Sequence, residues 1–394
     1  PKYRWTINST HMRKKVWYAP YKFESYGEEE IKAVEKALRD GWLAGFGPYT
    51  VKFEKKIAKE FGKKYGVFVN SGSSACLLAL AALDLEKGSE VLTPALTFST
   101  TLAPIIQLGY KPKFVDSESR TYVPSISTII HSISSYTKAI MMPNLIGNVL
   151  DWEALRSELK RIGREDIYVI EDSADTITNT PSTDISTTSF YASHVITAGG
   201  MGGMVMFNDK KHMKRALMYR DWGRIGDNSE DMNDRFAHEV DGIPYDYKFL
   251  YGVLGYNMKC AEANAAFGLV QLERFQSFKK VRRTNVERYL ERLANIKEII
   301  LPDDKFKPNW LAIPLQTDRR LELLTFLEGK NIQTRVTFAG NVTRHPVYRE
   351  YLQEFKVADE VMKNGFLLGA HHGMNTEDVD YVCDCIEEFF GYND

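Results

Sequence analysis

Tyr65-Gly66-Val67-Phe68-Val69-Asn70-Ser71-Gly72-Ser73-Ser74 decides how this chain folds. A short apolar run ends in a polar, glycine-bearing turn, which passes directly into an alanine- and leucine-rich segment reaching about Leu83. Buried strand, tight turn and helix in that order are one parallel β-α unit. The interval then recurs. Glu90-Val91-Leu92-Thr93-Pro94 reads as a strand before a helix at 97–108, and Lys113-Phe114-Val115-Asp116 as a strand before a helix at 126–133. Ala139-Ile140-Met141-Met142 precedes a helix at 152–162, and Tyr168-Val169-Ile170-Glu171-Asp172 is a fifth strand. Such alternation predicts parallel strands, crossover helices and ligand sites at the carboxyl ends of the strands. Residues 71–74, Thr97-Phe98 and residues 172–175 all fall at those ends.

Outward from this centre, 28–39 and 50–61 have helical apolar spacing and are separated by the turn Gly45-Phe46-Gly47-Pro48. Gly203-Met204-Val205-Met206-Phe207 is another strand, followed by a helix at 211–219. Residues 221–252 are polar and aromatic with few periodic signals, which marks an ordered binding or interface loop. A long helix at 261–294 leads into a smaller α+β region, with strands expected at 298–301, 310–315 and 332–336 and helices at 319–329 and 378–390. The expected organisation is an extension (1–25), a large α/β domain (26–270) and a small C-terminal domain (271–394). Met12 is a candidate start, so the residues before it are left out of the fold reading.

The chain has 394 residues, enough for a large α/β domain with an appendage. Its composition, 44% hydrophobic and 26% charged, is that of a globular protein, and its formal charge of −1 gives no general reason for binding nucleic acid or an anionic membrane. No run approaches the ~18 apolar residues of a membrane span, and no secretory leader pattern is present. The expectation is a cytoplasmic protein acting on small molecules. Cys76, Cys260, Cys383 and Cys385 are scattered in apolar surroundings and read as free thiols rather than disulfides. Cys383-Asp384-Cys385 lacks a second pair at zinc-type spacing, so no metal is expected. The sequons at Asn8 and Asn341 are taken as accidental.

Several residues have both a chemical and a structural reading. Residues 71–74 suit an anion at a helix N-terminus, or a simple serine cap. Asp172, at the end of an apolar strand, is suited to holding a metal, acting as a base or pairing with a protonated heterocycle nitrogen; a solvated acid is the bland reading. Phe98 is either a stacking ring or core, and Ser189 either a phosphate contact or an ordinary strand serine. His194, in Ser189-Phe190-Tyr191-Ala192-Ser193-His194, is alone most simply a structural histidine. No lysine stands near it in the sequence.

Together the motifs resemble the DegT/DnrJ/EryC1/StrS nucleotide-sugar aminotransferase family of fold-type I pyridoxal phosphate enzymes. The resemblance runs from about Tyr26 to the C-terminus and rests on several short motifs in order: Ser71-Gly72-Ser73-Ser74, Pro94-Ala95-Leu96-Thr97-Phe98, Glu171-Asp172-Ser173-Ala174-Asp175, Ser189 with His194, and Gly255-Tyr256-Asn257-Met258. It implies a large mixed, mostly parallel sheet domain, a smaller α+β domain, and pyridoxal or pyridoxamine 5'-phosphate as cofactor. By position, Gly72, Ser73, Ser74 and Ser189 would hold the phosphate, with Asn257 offered by the partner in a homodimer with shared sites. Phe98 would stack on the ring, Asp172 would pair with its nitrogen and Asp175 would meet its 3-hydroxyl.

Where the aminotransferases carry the Schiff-base lysine, this chain has His194, as does the sugar 3-dehydratase branch of the same family. Arg220-Asp221-Trp222-Gly223-Arg224, Pro244-Tyr245-Asp246-Tyr247-Lys248, Gly340-Asn341-Val342-Thr343-Arg344 and Gly365-Phe366-Leu367-Leu368-Gly369 are similar to that branch. The expected reaction is C3 dehydration of a nucleotide-linked 4-keto-6-deoxy sugar, with His194 as base and L-glutamate restoring the amine cofactor. Arg224, Arg335 and Arg344 are substrate candidates. The CDP-type enzymes of the branch hold an iron–sulfur cluster on cysteines, but no cysteine lies between Cys76 and Cys260 here. A reductase-coupled dehydratase and a non-catalytic nucleotide-sugar-binding protein are the alternatives.

Overall fold

A computed structural model describes residues 14–21, 24–226 and 229–392. Met12 and the Asn8 sequon lie outside the described residues. Helices α1 (Glu28–Asp40) and α2 (Pro48–Glu60) come first. The alternation follows as β1 (Tyr65–Val69), α3 (Gly72–Ala81), β2 (Glu90–Pro94), α4 (Ser99–Gln107), β3 (Lys111–Val115), α5 (Ile126–His131) and β4 (Thr137–Pro143). It continues through α6 (Trp152–Arg161), β5 (Tyr168–Ser173), β6 (Ile185–Ser189), β7 (Gly203–Phe207) and α7 (Lys210–Arg220). The seven strands form one sheet in the order β1-β7-β6-β5-β4-β2-β3. β7 runs antiparallel to both β1 and β6, and the remaining pairs are parallel. The architecture is α/β with a mixed, mostly parallel sheet.

β6 carries no apolar run, yet all five of its residues are buried. Hydroxyls replace the expected hydrocarbon, and neighbouring backbone satisfies them: Thr188 Oγ1 donates to Ser173 O at 2.8 Å and Thr187 Oγ1 to Glu171 O at 3.4 Å. A buried polar strand is tolerated when its donors are paired in this way.

The segment 221–252 is more regular than its sequence suggests. It holds a short helix, α8 (Met232–Arg235), and a hairpin of β8 (His238–Val240) and β9 (Ile243–Tyr245). Arg220, 1% exposed, anchors its start through ion pairs to Asp221 at 2.8 Å and Glu54 at 3.2 Å. A buried guanidinium needs such pairing, so this arginine is structural.

Helix α9 (Glu262–Leu293) continues without a break through residue 270. The Glu262 carboxylate accepts Tyr49 N–H at 2.9 Å and Thr50 N–H at 3.1 Å, which caps α2 from the start of α9. Beyond α9 lie β10 (Ile313–Gln316), α10 (Arg320–Gly329), β11 (Thr334–Val336), α11 (Lys356–Asn364), β12 (Gly365–Leu368) and α12 (Thr376–Phe390). The small sheet is antiparallel, in the order β10-β12-β11. Its central strand, β12, was not expected: it has four residues and follows α11 directly, so its apolar pattern merges with the helix. The strand expected at 298–301 is absent; only Ile300 forms a bridge, to Gln316, before Pro302 removes a donor.

All four cysteines are free thiols. Asn341 is fully buried, its amide donating to Gln353 O and Asp359 Oδ1, both at 2.9 Å, so its sequon is closed to modification in the folded chain. Among the described residues, no helix is long and apolar enough to cross a membrane.

Candidate active site

The turn after β1 and the turn after β6 meet because glycines let them. A Cβ on Gly72 would stand 2.7 Å from Ser189 Cβ, and one on Gly203 would stand 2.3 Å from the Ser71 carbonyl. Gly202, at φ +117°, bridges to Ser71. The glycine cluster after His194 therefore brings the loop 190–203 against the N-terminus of α3. Ser71 caps that helix by accepting Ser74 N–H at 3.0 Å. The cap reading thus holds for Ser71, while the first-turn N–H groups above it have no intrahelical acceptor. They open onto a cavity of about 690 Å³ lined by Gly72, Ser73 and Ser189.

Side chains on β5 alternate across the sheet. Glu171 points away from the cavity, toward Asn144 Nδ2 at 3.2 Å and the hydroxyl of Thr180, and burial raises its pKa to about 7. Asp172 points into the cavity and accepts Thr101 Oγ1–H at 2.7 Å and Ala174 N–H at 3.2 Å. Thr101 in turn receives the Thr97 hydroxyl at 2.9 Å. Burial raises the Asp172 pKa, and these hydrogen bonds only partly offset it. A buried acid in that condition is stabilised by a cationic N–H donor brought against it. Asp175 accepts Ile146 N–H at 2.7 Å, and burial pushes its pKa up to about 7.

His194 sits in the turn between β6 and β7, held by its own N–H to Tyr191 O at 3.0 Å. Its Nε2 lies 3.9 Å from Asp175 Oδ1, and its buried Nδ1 has no hydrogen-bond partner. Desolvation lowers its pKa to about 4, so the ring is neutral at ordinary pH. Phe98 is 54% exposed although it lines the cavity, leaving an aromatic face uncovered. No lysine lines the cavity among the described residues.

A flat, phosphorylated, nitrogen-protonated ring fits these residues: N–H groups and hydroxyls at one end, an acid at the floor, an open aromatic face and an unpartnered imidazole nitrogen.

The cavity thus gathers Gly72, Ser73, Phe98, Asp172, Asp175, Ser189, His194 and Arg335. Four other candidates lie elsewhere. Ser74 donates its hydroxyl to Asn70 Oδ1 at 2.6 Å, and Arg344 is paired with Asp359 at 2.5 Å. The Arg224 guanidinium lies over Trp222 at 4.5 Å, and Asn257 is exposed beside Asp221. Sequence reading missed Thr101, one helical turn after Thr97, and Tyr18, in a segment assigned to the extension.

A model of the DegT/DnrJ/EryC1/StrS aminotransferase family matches residues 24–387. Lipopolysaccharide biosynthesis protein RfbH of Salmonella typhimurium is 36% identical over 403 residues, covering 93% of this chain and 90% of that protein. The dTDP-4-dehydro-2,6-dideoxy-D-glucose 3-dehydratase of Saccharopolyspora spinosa is 33% identical over 399 residues, covering 92% and 84%. Escherichia coli GDP-4-keto-6-deoxy-D-mannose-3-dehydratase, solved with bound hydrated PLP, has a TM-score of 0.82 at 26% identity, covering 95% of this chain and 100% of that one. A GDP-4-keto-6-deoxymannose-3-dehydratase structure with a trapped PLP-glutamate geminal diamine gives 0.83 at 26% identity, covering 94% and 99%.

Proposed function

Because this chain belongs to the DegT/DnrJ/EryC1/StrS aminotransferase family, we propose that it removes the 3-hydroxyl of a nucleotide-linked 4-keto-6-deoxy sugar, with pyridoxal or pyridoxamine 5'-phosphate as cofactor. The observation that carries this reading is a cavity with an acid, an open aromatic face and a helix N-terminus suited to a phosphate, with His194 and no lysine in its lining among the described residues. Bound there, the cofactor supplies an electron sink for charge developing beside the sugar's keto carbon, and L-glutamate restores its amine form.

The chain's own residues do the rest. The first turn of α3 and Ser189 hold the phosphate, and Phe98 covers one ring face. Asp172, steadied by Thr101, keeps a proton on the ring nitrogen. His194 enters as a free base because burial keeps it neutral. Once protonated in that dry site it is strongly acidic, and it passes the proton to the oxygen departing from C3, which leaves as water. No lysine lines the cavity among the described residues to retain the cofactor covalently, so retention rests on the phosphate turn and Asp172.

Asn257, exposed and outside the cavity of its own chain, is assigned to the site of a second copy in a homodimer. Exposed Trp42, Leu43, Phe249 and Tyr251 support such a contact.

The test is mass spectrometry of products from GDP-, CDP-, UDP- and dTDP-linked 4-keto-6-deoxy sugars incubated with protein, cofactor and L-glutamate alone. A 3-deoxy-4-keto product with release of ammonia is the expected result. Turnover only with an added reductase would favour the electron-coupled alternative, and sugar binding without cofactor retention would favour the binding protein.

Gly72→Ala tests the phosphate turn separately. The added methyl would collide with Ser189 Cβ at 2.7 Å. Overpacking of this kind costs about 1–3 kcal/mol. Retention of pyridoxal 5'-phosphate, titrated by absorbance, should weaken by about tenfold or more.

A further inference from the structure

Residues 14–21 pass along the small C-terminal sheet as a strap. Val16 N–H donates to Asn331 O at 3.1 Å, and Val16 O accepts Gln333 N–H at 2.9 Å. His371 Nε2 reaches Trp17 O at 3.0 Å, and Gln333 Oε1 accepts Tyr18 N–H at 3.1 Å. The strap lies so close to the strand end after β12 that a Cβ on Gly369 would stand 2.4 Å from Trp17 O. Four hydrogen bonds spread over three residues hold a short segment in one place, and they aim one side chain into the cavity: Tyr18 lines it together with Asp175, His194 and Arg335.

The Tyr18 hydroxyl has no hydrogen-bond partner among the described residues, although the side chain is half-buried and its charged neighbours are Asp175, Arg282 and Arg335. Burial holds the phenol well above its ordinary pKa, so it remains a proton-bearing donor. The Arg335 guanidinium lies 5.5 Å from the ring centroid, which fixes the ring while leaving the hydroxyl unpaired. An unpaired donor facing a largely apolar cavity is left unsatisfied when a ligand displaces its water, unless the ligand supplies an acceptor.

We propose that Tyr18 is a substrate-contacting residue, carried into the cavity by the strap, whose hydroxyl donates a hydrogen bond to an oxygen of the bound hexose. The inference rests on the reading of this cavity as a nucleotide-sugar site and adds a specificity contact to it. Asp175 is a carboxyl group and Arg335 a cation suited to the diphosphate, whereas the phenol is a neutral donor suited to a sugar oxygen.

Tyr18→Phe keeps the ring and its packing and removes only the hydroxyl. In the cofactor-loaded full chain, KM for the nucleotide-linked 4-keto-6-deoxyhexose should rise by about tenfold relative to KM for L-glutamate in its own half-reaction. An unchanged ratio overturns the proposal, as does a loss shared equally by glutamate, because the residue would then support the whole cavity. Gln333→Ala, which loosens the strap without altering the phenol, should shift the same ratio in the same direction; a shift in glutamate KM alone would count against the strap. Should the wild-type chain fail to dehydrate any sugar, calorimetry with GDP-, CDP-, UDP- and dTDP-linked 6-deoxyhexoses decides the point independently. Binding about tenfold weaker in Tyr18→Phe supports the contact, and equal binding overturns it.

Discussion

His194→Lys is expected to abolish sugar dehydration, by at least about 10³-fold, while tying the cofactor covalently to the chain. Positioned acid–base groups contribute about 10²–10⁴-fold, and His194 is assigned both proton transfers, so its loss falls toward the upper end. Lysine brings a primary amine to a site beside Asp175 that is buried and lacks other cations among the described lining residues except Arg335. Burial favours the neutral amine, the form that attacks the cofactor aldehyde. Borohydride treatment followed by mass spectrometry should find cofactor mass fixed to the variant and none fixed to the wild-type chain. Dehydration at wild-type rate in the variant would remove His194 from the mechanism.

Asp172→Asn should be nearly as damaging for a different reason. The substitution preserves shape and leaves an oxygen for Thr101 Oγ1, which now donates to Asp172 Oδ2 at 2.7 Å. What disappears is the negative charge proposed to hold a proton on the ring nitrogen. Breaking a buried charge pair from one side costs about 3–5 kcal/mol, a factor of about 10²–10⁴ in rate. Stability should change little, because Asp172 without its cationic partner already bears a desolvation penalty that raises its pKa. Turnover assays and thermal melts on the same preparation separate the two effects; a melt that falls as steeply as the rate would indicate a structural acid.

Much of this site is legible in the sequence because its parts coincide with strong local signals. The turn at 71–74 follows an apolar strand, Asp172 ends another, and the glycines after His194 mark a close backbone approach. What escaped depends on contacts between distant segments. Thr101 looks like any helix threonine until α4 docks beside β5, and Tyr18 lies in a segment with no periodicity whose position is set by hydrogen bonds to residues 331, 333 and 371. β6 was hidden because its burial is achieved with hydroxyls, and β12 because it is too short to separate from α11. Of the three arginines, only Arg335 lines the cavity; the cation–aromatic contact of Arg224 and the ion pair of Arg344 cannot be foreseen from residue type.

The turn that carries His194 owes its shape to main-chain bonds rather than to the histidine. Ala192 N–H reaches Gly200 O at 3.1 Å, Ala198 N–H reaches Phe190 O at 3.1 Å, and Phe190 N–H reaches Gly202 O at 2.9 Å. The imidazole is a passenger on a loop that closes without it. The side chain at this position can be exchanged without breaking any of these main-chain bonds. An amine and an imidazole are interchangeable here as far as these bonds are concerned, and differ only in the chemistry they offer.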